Sequence, residues 1–334
     1  MPDHSHRKRK RAKGQFFTVG NPFVLDPFRA WFDTIPHVRT ATLLEPFAGA
    51  NNIVALMRQA GYTNDWACFD IDPPAPQAHG QRVVRRDTLK RCPKGYAIAI
   101  TNPPYLARHS ASRHKLPYPD IEHDDLYKQA LDVLLSKVSY LAVIVPESFI
   151  NAGLFHDRLH SVITLASPMF EDTDHPVCLA LFSPSARDRA LDFMLFSDNE
   201  RLGSYQELSS VLRPIETGAA PWKFNDPQGL VGLRGVDNAR TASIAFVPGD
   251  TIPSSDIKHA SRLITRISGV PKDIPLDALL AQANALLAEY RTNTHDAMLT
   301  SFKGLREDGR YRRRLDFRAA RHLLDHAVAR IRAT

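Results

Sequence analysis

A chain of 334 residues can bury one sizeable core and carry a second, smaller domain, and its mean hydropathy of −0.28 with no apolar run near the roughly 18 residues of a membrane span argues against a membrane-embedded protein. Its cysteines, Cys68, Cys92 and Cys178, lie far apart without a Cys-x-x-Cys pair, which fits a reducing cytosol and speaks against a disulfide framework or a structural zinc; no metal is expected. The net charge of +7 is unevenly placed: residues 1–13 carry +5 and residues 302–334 carry +6, so the body between them is mildly acidic at −4, the footprint of a polyanion binder.

The chain opens on charged residues and not on an apolar stretch, so no secretory signal is expected, and Lys8 to Lys13 reads as a disordered basic arm that neutralises phosphates or serves as a targeting signal. Gly14-Gln15-Phe16-Phe17-Thr18 is a glycine-led aromatic strand or turn, and Phe23, Leu25, Phe28, Trp31 and Phe32 form the first core-packing segment. A short strand, Thr42-Leu43-Leu44, then ends at Glu45-Pro46-Phe47-Ala48-Gly49-Ala50-Asn51-Asn52, and helical spacing follows at Ile53, Leu56, Met57 and Ala60. Strand, glycine turn and helix N-terminus make a nucleotide-type ligand site. A phosphate loop has no use for a carboxylate at Glu45, whereas a cationic ligand does. Asn51 tolerates the positive φ that such a turn asks for.

Trp66 to Asp70 is a second strand, and Asp70 falls where an acidic side chain grips two vicinal ribose hydroxyls, with Asp72 read as a turn cap. After a proline-rich loop, Val83-Val84 leads to Asp87 and Thr88. Tyr96 to Ile100 forms the next strand and delivers Asn102-Pro103-Pro104-Tyr105. Adjacent prolines hold φ near about −65° and keep the preceding residue extended, which fixes the Asn102 amide relative to the Pro103 carbonyl. Two acceptors followed by an aromatic ring suit a planar ligand with an amino group on its edge. They favour the pyramidal amine that develops when its lone pair attacks an alkyl donor. A strand-terminating loop with a packed tyrosine fits the same residues.

Arg108 to Asp120 is polar and basic, a loop able to clamp a nucleic-acid backbone. Leu126 to Val138 has helical spacing, Tyr140 to Val145 is an apolar strand closed by Pro146-Glu147-Ser148-Phe149, and Val162–Leu165 and Val177–Phe182 are expected as the last strands, the latter antiparallel. Phe170 lies in the loop between them. From about residue 199 the βα rhythm is lost: short β-like runs (229–236 and 243–247) precede an amphipathic helix from Leu276 to Tyr290 and a tail in which Arg310, Arg313, Arg314, Arg318 and Arg321 are expected on one helix.

In this order the segments resemble the class I, S-adenosylmethionine-dependent amino-methyltransferases, and among them the N6-adenine DNA methyltransferases with the cofactor region first, Asn-Pro-Pro-Tyr second and a target-recognition domain last. Val19 and Asn51 depart from that pattern, which has proline and a second glycine there. The resemblance implies an α/β fold: a doubly wound, Rossmann-like, seven-stranded mixed sheet over 14–198, following the arm 1–13, and a smaller α+β domain for target recognition over 199–334. It implies S-adenosylmethionine held by Phe17, Thr18, Glu45, Pro46, Phe47, Ala48, Gly49, Asn51, Asp70, Ile71, Asp87, Thr88 and Asn102, and converted to S-adenosylhomocysteine. Catalysis falls to Asn102, Pro103, Pro104 and Tyr105, with the Tyr105 ring stacking on an adenine flipped out of duplex DNA. Arg108, Arg113, Lys115, Phe170, Arg310, Arg313, Arg314 and Arg318 are the implied nucleic-acid contacts. A bacterial or phage-encoded, cytoplasmic monomer with a cognate restriction endonuclease is the implied setting. An RNA adenine methyltransferase, a protein glutamine methyltransferase and a non-catalytic nucleic-acid binder remain open as alternatives.

Overall fold

Strands that are apolar on both faces must be covered on both faces, and three such runs form the centre of the first part of this molecule. The computed structural model describes residues 20–73, 80–166, 169, 176–184, 192–210, 213–215, 220–257 and 263–333. The basic arm, Phe17, Thr18 and Phe170 lie outside the described residues. The chain divides into two compact units, Met1–Arg201 and Leu202–Thr334.

The first unit is built on a nine-stranded sheet: β1 (Leu43–Glu45), β2 (Trp66–Asp70), β3 (Val83–Arg85), β4 (Ile98–Thr101), β5 (Tyr140–Pro146), β6 (Leu159–Thr164), β7 (Val177–Phe182), β8 (Met194–Ser197) and β9 (Glu200–Ser204), in which the unit boundary falls. Their order is β3-β2-β1-β4-β5-β7-β6-β8-β9. The strands from β1 to β5 are mutually parallel, β7 is antiparallel to both β5 and β6, and β8 runs parallel to β6. Every residue of β4 and β7 is buried, as is β5 from Leu141 onward. The order reverses between β1 and β4, so their carboxyl ends open the crevice in which such sheets hold ligands.

Two strands more than the expected seven are present. Met194–Ser197 extends the sheet on β6 and β9 follows it, so the edge of β6 has its backbone groups paired. The helices are α1 (Asp26–Asp33), α2 (Asn52–Gln59), α3 (Arg108–Arg113) and α4 (Leu126–Leu135). Among the described residues, only the crossovers from β1 to β2 and from β4 to β5 contain an α-helix, fewer than a doubly wound fold implies. α1 packs Phe28 and Phe32 against Tyr62 at ring separations of 6.0 and 4.8 Å. The basic stretch after Tyr105, expected as a loop, folds in part into α3, and the Ala107–Asp125 bridge pins its ends.

The second unit contains an antiparallel sheet of β10 (Lys223–Phe224), β11 (Val231–Arg234), β12 (Ala245–Pro248) and β13 (Ile264–Ser268), in the order β10-β13-β11-β12. A hairpin of β14 (Thr300–Leu305) and β15 (Tyr311–Arg314) and the helices α5 (Tyr205–Leu208), α6 (Leu276–Thr294) and α7 (Phe317–Arg332) complete it. Gly249 lets two segments touch: a Cβ there would stand 2.1 Å from the Gly229 carbonyl oxygen. The tail is not one basic helix. Tyr311, Arg313 and Leu315 alternate inward with period two, and α7 begins only where the Asp316 carboxylate accepts the Ala319 amide, so Arg310 is in the loop of the hairpin, Arg313 and Arg314 are in a strand, and of the five tail arginines Arg318 and Arg321 are helical. No described helix is long and apolar enough to cross a membrane.

Candidate active site

Glu45 ends β1 with its side chain wholly buried, between Cys68 in register on β2 and Thr101 at the end of β4. Its Oε1 accepts the Thr101 hydroxyl at 2.5 Å and the Phe47 amide at 2.9 Å, whereas the equally buried Oε2 has no partner among the described residues. Burial pushes the Glu45 carboxyl up to about 8; the Thr101 and Phe47 hydrogen bonds oppose the rise and the nearby Asp70 adds to it. A buried acceptor left unsatisfied is costly, and a cationic or N–H-bearing ligand removes that cost.

The turn that follows is shaped as its residues allow. Gly49 and Asn51 both take the left-handed region, at φ of 47° and 64°, and Asn51 enters α2 from that conformation while its Nδ2 donates to the Gln81 carbonyl at 2.9 Å. Asn51 thus takes the positive φ that the sequence expects of this turn. Asp70 ties this turn to the next: Oδ2 accepts the Gly49 amide at 2.9 Å and Oδ1 the Asp72 amide at 2.8 Å. Each of its oxygens has a further lone pair for another donor. Beside it Ile71 is 57% exposed, an apolar surface at the mouth of the crevice. Thr88 is buried and donates to the Pro46 carbonyl at 2.8 Å; Phe47 is half-buried and Ala48 buried. Asp87 accepts the Lys90 amide at 3.3 Å and pairs with the Lys90 ammonium at 3.8 Å, so it caps its own turn.

The Asn-Pro-Pro-Tyr turn leaves β4 one residue after Thr101. Asn102 is half-buried, Pro103 buried and Pro104 half-buried. Tyr105 is 9% exposed, and its ring lies edge-on to Tyr127 at 6.3 Å. Its hydroxyl meets Asn102 Oδ1 at 2.5 Å and the Ile144 carbonyl at 2.8 Å. The rigid proline pair turns the ring back onto the end of β5, where burial raises its hydroxyl pKa well above the ordinary value. The Tyr105 hydroxyl thereby braces the Asn102 amide.

No family model and no curated protein match this chain. Among solved structures it is similar to the methyltransferase subunit of a type I restriction-modification system from Streptococcus thermophilus, at 14% identity and a TM-score of 0.37 over 56% of this chain and 49% of that one. It is similar to the M protein of the type I restriction enzyme EcoKI, at 13% identity and 0.39 over 87% and 73%, and to a nuclease-deletion mutant of the Type ISP restriction-modification enzyme LlaGI, solved with a DNA substrate mimic, at 12% identity and 0.39 over 57% and 28%. The chain spans about half the length of the first structures it matches. Likenesses of this size leave the chemistry to the chain's own residues.

The basic residues fare unequally. Arg108 is engaged with its own loop, donating to the Ile121 and His123 carbonyls and stacking on Tyr118 at 5.2 Å, so its guanidinium is not held out for a phosphate. Arg113 and Lys115 are exposed and form no ion pair among the described residues. Arg313 is 7% exposed and donates to the Ser301 hydroxyl at 3.2 Å, which removes it from any surface. Arg310 and Arg318 are exposed, and the Arg314 Nε is buried without a hydrogen-bond partner among the described residues.

Sequence reasoning missed two features. Thr101 received no role, although a hydroxyl ending an otherwise apolar strand just before Asn102 was a visible signal. It also missed a buried charge cluster in the second unit, where the Asp237 carboxylate takes Arg291 twice at 2.9 Å, Arg306 at 3.2 Å and three backbone amides. Arg330 and Arg332 likewise pair with Glu289 and Asp273, so part of the tail's charge is internal counter-charge. No group of three or more His, Cys, Asp or Glu able to hold a metal is found among the described residues.

Proposed function

We propose that this chain transfers a methyl group from S-adenosylmethionine to the N6 amino group of an adenine in DNA, leaving S-adenosylhomocysteine. The observation that carries the reading is the hydrogen bond between Thr101 and Glu45, which joins a buried, unpartnered acceptor to the residue preceding Asn102. When bound, S-adenosylmethionine supplies an electrophilic methyl on a positively charged sulfur.

The residues present fit that ligand. Glu45 Oε2 accepts from its cationic amino-acid end, the remaining Asp70 lone pairs accept ribose hydroxyls, Ile71 covers an adenine face, and Asp87 and Thr88 border the ring. Pro46, Phe47, Ala48 and Gly49 form the turn around it. The acceptors of Asn102 and Pro103 take the protons of the attacking amine, freeing its lone pair toward the methyl. Tyr105 holds Asn102 in place, and Pro104 keeps the turn rigid.

An adenine stacked in a duplex cannot reach a turn at a sheet edge, so the reading includes extrusion of the base at a cost of a few kcal/mol. Contacts from Arg113, Lys115, Arg310, Arg314 and Arg318 to phosphates offset that cost, and they make binding weaken as salt rises. The chain acts as a monomer in a bacterial or phage-infected cytoplasm, beside a cognate endonuclease.

The test is an unmethylated plasmid carried in cells expressing the full chain and sequenced for modified bases. N6-methyladenine in the plasmid is the expected result. Methylation confined to ribosomal RNA would move the substrate to RNA. An unmodified plasmid and RNA, with no heat on titrating S-adenosylmethionine into the protein, would refute the enzyme reading.

A further inference from the structure

Thr101 presents a puzzle of packing. Ile98, Ala99 and Ile100 make β4 apolar and wholly buried, and the next residue, also wholly buried, carries a hydroxyl where valine would fill the same space without a polar atom to satisfy. That hydroxyl donates to Glu45 Oε1 at 2.5 Å. With the Phe47 amide on the same oxygen at 2.9 Å, Oε1 is doubly served and Oε2 is the oxygen left without a partner among the described residues. The carboxyl is thus oriented by its partners and not by chance of rotamer.

Resting on the cofactor reading above, we propose that Thr101 is a positioning residue for the cofactor: by engaging Oε1 it turns Oε2 of Glu45 to the ligand's cationic end and steadies the carboxylate. Binding then couples to a proton. In the free protein Glu45 holds its proton up to about pH 8, because burial outweighs the hydrogen bonds, and a cationic ligand at Oε2 favours its release to solvent. The ionisable groups facing Glu45 among the described residues are Asp70 and Cys68 of β2; the Cys68 thiol, pushed up to about 12 by burial and by Glu45 itself, stays neutral, so the event belongs to Glu45 under the influence of Asp70. Thr101 is the largest of the influences that lower the Glu45 pKa, so removing its hydroxyl moves the ionisation to higher pH.

The experiment is calorimetric titration of S-adenosylhomocysteine, which carries the same ammonium group, into the full chain and its T101V and T101S variants between roughly pH 6 and 9, in two buffers of different ionisation enthalpy. Wild-type affinity rises toward about pH 8 and then levels, with close to one proton released per ligand below that point. T101V binds about tenfold more weakly at neutral pH and levels off at higher pH, while T101S behaves as wild type. T101V with unchanged affinity and an unchanged profile would overturn this inference alone. Absence of binding to all three proteins would instead overturn the cofactor reading and this inference with it.

Discussion

Replacing Glu45 with Gln tests the electrostatics of the crevice without any assumption about activity. The amide keeps the shape of the carboxylic acid, and its carbonyl oxygen still accepts from Thr101 and Phe47. In the folded protein the Glu45 carboxyl keeps its proton until about pH 8, whereas the unfolded chain releases it near 4.5. Between those values the native state binds more protons than the unfolded state, so stability falls as pH rises: the contribution is fully present below about 4.5 and is lost as pH climbs through about 8. Each pKa unit corresponds to about 1.4 kcal/mol, and the group is wholly buried, so the full window is worth roughly 4–5 kcal/mol. Gln has no proton to lose. The variant is therefore expected to gain on wild type progressively across that window, by several kcal/mol near pH 8. Amide hydrogen exchange of peptides covering β1 and β4, corrected for intrinsic rates, reports the opening free energy at each pH. Parallel profiles for the two proteins would show that Glu45 titrates normally and would refute the argument.

In the second unit, Asp237→Asn puts an uncharged amide against two guanidinium groups and is expected to cost about 3–5 kcal/mol, read from exchange in β11 and α6. Burial alone would raise the Asp237 pKa, but Arg291 and the backbone amides bring it down to about 2; its contribution is present above about pH 3.8 and lost as pH falls toward 2, so the variant is less acid-sensitive there. Asn102→Ala is expected to abolish methyl transfer while leaving cofactor affinity within a few fold, and Asp70→Ala to weaken cofactor binding first; full turnover in both, measured with radiolabelled cofactor, would put the site elsewhere. Gly249→Ala drives a Cβ into the Gly229 and Leu230 backbone and is expected to destabilise the second unit by about 1–3 kcal/mol, checked by thermal unfolding.

The candidate site was legible where its chemistry is written in consecutive residues. The strand, Gly49-to-Asn51 turn and α2 follow from local preferences, since glycine and asparagine are the residues that accept positive φ, and the turn after β4 follows from two prolines that leave the backbone little choice. The central strands were legible because burial on both faces requires an apolar residue at every position. The edge was not. β8 and β9 are partly exposed and mix polar with apolar residues, so their pattern does not separate them from loops, and the sheet has nine strands where seven were expected.

By itself, then, the order of residues determined which carboxylates and which amide arrive at the carboxyl ends of the parallel strands β1, β2 and β4. Only the folded chain decided what each meets there: that Thr101 lies on Glu45 across 56 residues of sequence, that Tyr105 turns inward to brace Asn102, and that Arg291 and Arg306 face the buried Asp237. A residue's own identity sets the bonds it can make, but the partner of a buried polar group is whichever distant group the packing brings within about 3 Å, and nothing local encodes that distance.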